Sequence, residues 1–287
     1  MKDGTASLSA GLYIVATPIG NLEDITYRAV DVLGAVDSIA AEDTRHSRKL
    51  LQHFGLKTPL LALHEHNEKA VSEGLLEKIR QGRSIALISD AGTPLMSDPG
   101  FYLVRLAHEN ALPVIPVPGV SAAICALSAA GLPTDRFVFE GFPPAKKTAR
   151  KHYFDDLQAE TGTLIFYESS HRIIASLEDM ASAFGADRQA VIARELTKTF
   201  ETIHGGRLAD LVDWVQADKN QQKGEFVVLV HGMPAASSSE LSVEDEKVLL
   251  TLLEELSLKQ AASLASRITG VGRRVFYERA LALKEAL

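Results

Sequence analysis

Five short polar segments of this chain share one feature: each directly follows an apolar run with strand character. They are Thr17-Pro18-Ile19-Gly20-Asn21, Glu42-Asp43-Thr44-Arg45, His64-Glu65-His66-Asn67, Ser89-Asp90-Ala91-Gly92-Thr93-Pro94 and Pro118-Gly119-Val120-Ser121. If the preceding runs are parallel strands of one open sheet, all five segments meet at its carboxyl edge, where ligands of such sheets bind. The stretch Ser89 to Gly100 packs Gly92, Gly100, Pro94 and Pro99 around Asp90 and Asp98. Backbone can therefore approach a ligand closely while carboxylates accept hydrogen bonds from its amine or hydroxyls. Pro118 to Ser121 opens an Ala-rich helix whose free N–H groups suit an anion or an adenine edge. This is chemistry for a nucleotide-like cofactor. Gly, Pro, Asp and Ser also build ordinary tight turns; the coincidence of five such loops on one edge is what favours a ligand site. No G-x-G-x-x-G follows a strand and no G-x-x-x-x-G-K-[ST] occurs, which disfavours a standard dinucleotide enzyme and a P-loop nucleotidase. His64 and His66 alternate at a strand end, yet no further His or Cys at ligand spacing accompanies them. A polar wall is the better reading, and no metal site is expected. Asp43 and Arg45 have two open readings, a structural pair capping the next helix and a substrate contact.

The elements that must position these loops are legible as a rhythm. Apolar runs at Leu12 to Ala16, Ser38 to Ala41, Leu60 to Leu63, Ile85 to Ile88 and Val114 to Val117 read as strands. Between or after them, Ile25 to Leu33, Arg45 to Phe54, Glu68 to Gln81, Tyr102 to Asn110 and Ser121 to Ala130 carry apolar residues at helical spacing. The alternation predicts a mostly parallel sheet with crossover helices. Gly131-Leu132-Pro133 stops the last helix and marks a domain boundary. Beyond it, Phe137 to Gly141, Thr163 to Tyr167, Ala190 to Ala193, Phe200 to His204 and Phe226 to Val230 read as strands of a mixed sheet, with helices at His171 to Phe184 and Leu208 to Val215. The small, polar, Pro-bearing stretch from Met233 reads as a tether. Three helical stretches follow, Val248 to Leu256, Lys259 to Ile268 and Arg273 to Leu283. The expected division is an α/β domain over 11–131 carrying the cofactor edge, a second α/β domain over 132–232, a linker over 233–240 and a helical module over 241–287.

The 287 residues, 46% of them hydrophobic, suffice for two packed domains. A formal charge of −7 argues against a surface built throughout to coat nucleic acid, so any RNA contact must be a local patch. The lone Cys125 forms no internal disulfide, which fits a reducing cytoplasm. The first ten residues lack the basic flank and apolar core of a signal peptide, and no segment has the apolar length to cross a bilayer.

Six motifs together carry a family resemblance: Thr17-Pro18-Ile19-Gly20-Asn21-Leu22, Ala41-Glu42-Asp43-Thr44-Arg45, Ser89-Asp90-Ala91-Gly92-Thr93-Pro94, Pro118-Gly119-Val120-Ser121-Ala122, Phe166-Tyr167-Glu168-Ser169 and Ala193-Arg194-Glu195-Leu196-Thr197-Lys198. In this order, from about Leu12 to Val230, the chain resembles the ribosomal RNA cytidine 2′-O-methyltransferases of the tetrapyrrole methylase superfamily. The resemblance implies two α/β domains with S-adenosyl-L-methionine in the cleft between them, and a homodimer. By position it implies that Pro18, Asp90, Gly92, Thr93 and Asp98 line the cofactor pocket from the first domain. Ser121 and Ala122 would do so from the helix start. From the second domain, Tyr167, Leu196, Gly224 and Glu225 would close over it. Without the resemblance, Tyr167 reads more readily as core than as a cofactor contact, and Arg194, Glu195 and Lys198 read as readily as a solvated charged face as a substrate contact.

A ribose hydroxyl is a weak nucleophile and benefits from a base or from a cation that stabilises the developing alkoxide. Glu42, His64, Glu195 and Lys198 are the candidates, and alignment without any essential base stays open. For RNA, the last two helices carry Lys259, Arg267, Arg273, Arg274, Arg279 and Lys284 against Glu278 and Glu285, an excess of cations that could grip phosphates. Lys146, Lys147, Arg150 and Lys151 form a second basic cluster, and Arg45 is a further RNA candidate. The expected partner is small-subunit ribosomal RNA or the assembled small subunit. Two rivals share the scaffold: a methylase of tetrapyrrole precursors, and a non-catalytic RNA-binding or assembly factor.

Overall fold

The computed structural model describes residues 8–233 and 241–285, without the side chains of 284 and 285. Two compact units are formed, Met1–Gly232 and Met233–Leu287.

The first unit holds two sheets. Strands β1 (Gly11–Val15), β2 (Ser38–Ala41), β3 (Leu60–Ala62), β4 (Ser84–Ile88) and β5 (Val114–Val117) form a wholly parallel sheet in the order β3-β2-β4-β1-β5. Side-chain alternation decides which helices cover which face. Tyr13, Val15, Ile39, Ala41, Ala86 and Ile88 pack with α1 (Tyr27–Ala35) and α2 (Thr44–His53). Leu12, Ala40, Ile85 and Leu87 pack with α3 (Glu68–Arg80) and α4 (Phe101–Glu109) on the other side. All five residues of β4 are buried, as a central strand covered on both faces requires.

Helix α5 (Ala122–Ala130) leaves β5 and packs against the second sheet rather than the first: Ala123, Ala126 and Leu127 meet Ile165, Val191, Ala193, Val227 and Leu229. That sheet has the order β6-β7-β10-β8-β9, from β6 (Phe137–Gly141), β7 (Thr163–Ser169), β8 (Gln189–Arg194), β9 (Thr202–Arg207) and β10 (Glu225–Val230). It is mixed, β6 and β7 running parallel and the other neighbours antiparallel. Its far face is covered by α6 (Lys147–Asp156), α7 (Ile173–Phe184) and α8 (Leu208–Ala217), around Phe154, Phe166 and Leu177.

Two expectations need correction. Helix α6 is absent from the sequence reading because so little of it is apolar; Phe154 and the buried Arg150–Asp179 ion pair anchor it. Strand β9 starts at Thr202, not Phe200, and runs through Gly205-Gly206, whose lack of side chains hides the strand; pairing with β8 imposes it, and Phe200 lies exposed outside it.

The second unit is three helices, α9 (Val243–Glu255), α10 (Leu258–Thr269) and α11 (Arg273–Glu285), around Leu249, Ala261, Ala262, Ala265, Phe276 and Ala280. Reciprocal capping boxes open two of them, Ser242 with Asp245 and Ser257 with Gln260. Gly270, left-handed at φ 80°, ends α10. Apart from Met233, the expected linker lies outside the described residues, as does the Lys284 side chain. Among the described residues no helix is long and apolar enough to cross a membrane.

Candidate active site

The parallel order brings the loops after β1, β2, β4 and β5 to one edge. Backbone hydrogen bonds fix them to each other. Thr17 and Gly92 exchange two of 2.9 Å, which joins the loops after β1 and β4. Thr93 Oγ1 donates to the Val120 carbonyl at 2.9 Å and draws in the loop after β5. Gly92 has φ 79°, a conformation that favours glycine.

These loops form one wall of a cavity of about 520 Å³, within the size range of small-molecule sites. Glu42, Asp90, Gly92, Thr93 and Asp98 line it from the first sheet, and Ser121 and Ala122 from the start of α5. Tyr167, Leu196, Gly224 and Glu225 line it from the second sheet. Tyr167 ties the walls together: its hydroxyl accepts a hydrogen bond from the Ala123 N–H at 3.3 Å, and its ring packs edge-on to Phe139 and Phe142. Burial pushes its phenol pKa up.

Charge is concentrated on the first wall. Burial raises the Glu42 pKa above the ordinary carboxylate range, and the negative charges of Asp98 and Asp90 raise it further. Burial and the Asp90 charge likewise raise Asp98, against a hydrogen bond from Ser89. A surface of this kind favours a ligand that carries positive charge or several donors.

On the second side of the cleft the carboxylates are held by a cation. Lys198 Nζ donates to Glu195 Oε1 at 2.9 Å and to Glu225 Oε2 at 2.7 Å, and the Glu225 N–H donates to Glu195 Oε1 at 3.0 Å. For Glu195 burial acts upward, but the Lys198 hydrogen bond and the Glu225 N–H outweigh it and hold the pKa low. For Lys198 burial acts downward, and the two carboxylates outweigh it and keep the ammonium charged. The loop is strained: Glu195 and Thr197 have φ 52° and 64°, and across the cleft Leu95 and Ser97 have 73° and 71°. Such backbone persists where its surroundings over-determine it, as at ligand clamps. The two lips touch at Gly20, where an added Cβ would meet Lys198 Cγ at 2.5 Å and Thr197 Oγ1 at 2.9 Å. Beside it the Asn21 N–H donates to Thr197 Oγ1 at 3.1 Å.

The four candidate catalytic residues are thus not equivalent. Glu42 lines the large cavity, whereas Lys198, with Pro18, lines a smaller adjoining one of about 320 Å³. Glu195 lines neither and is committed to Lys198. His64 also lines neither; its backbone N–H donates to Asn67 Oδ1 at 2.8 Å and its ring lies edge-on to His66. Among the described residues no group of three or more His, Cys, Asp or Glu is arranged to hold a metal.

The RNA candidates also separate. Lys146 and Lys147 are exposed at the start of α6. Arg150 is a correction: it is buried, and its guanidinium pairs with the equally buried Asp179 at 2.7 Å, so it supports the second domain instead of facing RNA. Arg45 is exposed and pairs with Asp43, whose carboxylate also caps α2 through the Arg45 and His46 N–H groups. In the helical unit Arg267 and Arg273 are exposed, and Arg274 pairs with Glu278 at 2.7 Å. Phe142 and Ser170 line the large cavity without having been singled out, as does Ser169, which the sequence analysis named only within a motif and not as a site residue. They follow β6 and end or follow β7, so the rule that located the first-domain loops would have located them too.

Comparison with known proteins agrees with this geometry. Residues 11–212 match the family described as Tetrapyrrole (Corrin/Porphyrin) Methylases, and residues 239–284 match the RsmI C-terminal HTH domain. A Pseudomonas aeruginosa protein named Ribosomal RNA small subunit methyltransferase I is 56% identical over 276 residues, covering 96% of this chain and 98% of its own. The Escherichia coli O157:H7 protein of the same name is 54% identical over 270 residues, 94% of each chain. Among solved structures, uroporphyrin-III-C-methyltransferase from Thermus thermophilus superposes with a TM-score of 0.56 at 20% identity, covering 77% of this chain and 94% of that one. Diphthine synthase superposes with a TM-score of 0.57 at 15% identity, covering 77% and 89%. At those identities the likeness is one of fold. Family match, full-length relatives and the two-sheet cleft coincide, and the chain belongs to the tetrapyrrole methylase family.

Proposed function

We propose that this protein transfers a methyl group from S-adenosyl-L-methionine to the 2′-hydroxyl of a cytidine ribose in small-subunit ribosomal RNA. One observation carries the reading: identity above 50% to proteins named for small-subunit ribosomal RNA methylation spans 96% of the chain, so it extends through both compact units. The cavity suits the cofactor. Its volume is adequate, Asp90 and Asp98 match a molecule bearing an ammonium and a sulfonium, and the α5 start offers N–H groups beside Gly92. When bound, the cofactor supplies an electron-poor methyl carbon on sulfur.

The chain's own residues then have distinct tasks. Asp90, Asp98, Gly92 and Thr93 hold the donor against Ser121, Ala122 and Tyr167, while Leu196, Gly224 and Glu225 close the far side. Glu42 takes the acceptor's proton: of the four candidates it alone lines the donor cavity, and its raised pKa moves it toward the range where a base works best near neutrality. Glu195 and Lys198 clamp the strained loop, Lys198 facing the acceptor side as a fixed cation. In this reading 11–131 and 132–232 are the two halves of the cleft. The helical module over 241–287 grips RNA through Arg267, Arg273 and Arg274, with Lys146 and Lys147 as a second contact. The protein works in the cytoplasm as a homodimer.

The test is methyl transfer from labelled cofactor to ribosomal subunits from cells lacking this protein, followed by mapping of ribose methylation. One new 2′-O-methyl cytidine in small-subunit RNA is expected. Cofactor binding without transfer to any RNA would overturn the assignment in favour of a small-molecule acceptor.

A further inference from the structure

Helix α2 is the most basic element beside the cleft. Its ten residues, Thr-Arg-His-Ser-Arg-Lys-Leu-Leu-Gln-His, contain Arg45, Arg48 and Lys49 and no carboxylate, in a chain of net charge −7. Its buried face is Ser47, Leu50 and Leu51, and every cation is exposed. Arg48 and Lys49 form no ion pair among the described residues. Helix α2 also walls the smaller cavity, through His46, Ser47, Lys49 and Leu50, with Lys198 contributed by the second sheet. That cavity shares Ile19, Asp90, Ala91 and Glu225 with the donor cavity, so the two are neighbours through one partition. Ser47 is only 2% exposed, yet its Oγ has no hydrogen-bond partner among the described residues. A buried hydroxyl without a partner is uncommon and asks for an explanation. Here it sits in a cavity wall with Lys49, which has no ion pair among the described residues, while Lys198 is engaged by Glu195 and Glu225.

We infer that the smaller cavity is the seat of a phosphodiester of the acceptor RNA strand, held by Lys49 and the Ser47 hydroxyl and entered along the basic face of α2. The inference rests on the RNA reading above. Phosphate contacts of this kind set register and orientation. Only three residues separate Glu42 from His46, so one short segment leads from the donor cavity to the phosphate seat. A strand held there presents its neighbouring ribose toward Glu42.

The test compares Lys49→Glu and Ser47→Ala with Lys57→Glu. Lys57 is exposed and precedes β3, at the opposite edge of the parallel sheet. Each is assayed for cofactor affinity, for binding of a small-subunit RNA fragment at several salt concentrations, and for KM and kcat on small subunits. Lys49→Glu is expected to raise the RNA Kd and KM about tenfold and to lower the salt slope by about one, with cofactor affinity unchanged. Ser47→Ala is expected to raise KM severalfold without lowering Tm, because it removes a hydroxyl that supports nothing in the fold. Lys57→Glu should match the unsubstituted protein. Equal RNA binding and KM for Lys49→Glu and Lys57→Glu, with methylation intact, would overturn the inference and leave the proposed function standing. RNA binding lost on Lys49→Glu in a protein that never methylates RNA would do the reverse. A protein that neither binds nor methylates RNA would overturn both.

Discussion

Glu42 and Glu195 are the same residue type, each in a loop that follows a strand and borders one cleft, and their surroundings treat them in opposite ways. Glu42 is held above the ordinary carboxylate range by burial first and then by the charges of Asp98 and Asp90 on the same wall. Glu195 receives hydrogen bonds from Lys198 and from a backbone N–H and is held below it. The first is moved toward the range of a working base, which is the role proposed for it; the second is held as an anion by Lys198 and orders a loop. Residue type and position after a strand therefore nominate a site, and burial together with the neighbouring charges and hydrogen bonds decides what the site can do.

Substitutions can break this contrast, and the most severe removes the proton acceptor. Glu42→Gln should lower kcat on small subunits by about 100-fold or more and abolish the acidic limb of the pH–rate profile, with cofactor affinity little changed. A profile that keeps its acidic limb would show that Glu42 is not the base. Asp98→Ala should weaken cofactor binding by roughly 10- to 100-fold, the loss of one charge-assisted hydrogen bond, measurable by calorimetry. Glu195→Gln should act mainly on the fold, lowering Tm by about 2–4 °C at pH 7, the shift of about 1 kcal/mol in a unit of this size.

The smallest effect is the sharpest. A carboxyl whose folded pKa is raised contributes stability below its unfolded pKa and loses it as pH rises through the folded value; one whose folded pKa is lowered contributes above its unfolded pKa and loses it as pH falls. Glu42→Gln should therefore be slightly more thermostable than the unsubstituted protein at pH 7 and equal to it below pH 4. Glu195→Gln should be less thermostable at pH 7 and converge on it as pH falls. Melting curves that shift in the same direction for both would refute the opposite placement of the two carboxyls.

The first sheet was readable in the sequence because every strand is an apolar run between turn residues and every helix carries a periodic apolar face. All its strands were placed to within one residue, and the edge that gathers Asp90, Gly92 and Ser121 followed from parallel order alone. The second sheet was harder for local reasons. Gly205 and Gly206 carry no strand signal, and α6 offers few apolar positions. Arg150 shows the limit most clearly: Lys146, Lys147, Arg150 and Lys151 look alike in sequence, and only the fold brings Asp179, 29 residues beyond Arg150, against Arg150 and Lys151 and buries just the first of the two. Ranking Glu42 over Glu195 failed in sequence for the same reason, since Asp98, Lys198 and Glu225 act through space. Of the cations on α2 only Arg45 drew notice in the sequence, and the significance of Arg48 and Lys49 depends on a cavity made jointly with Lys198.

The Gly20 contact with Thr197 and Lys198 has a consequence for how this cleft can evolve. Where the two lips meet, the spacer between them has no length of its own: backbone on one side rests on side chains of the other, and even one methyl group would act as a wedge. The separation of the two lips is thus gauged by the Gly20 main chain against the Thr197 and Lys198 side chains, which substitutions among the residues lining the large cavity leave in place. Pocket-lining residues can then drift toward new acceptors while the alignment needed for in-line transfer is inherited unchanged.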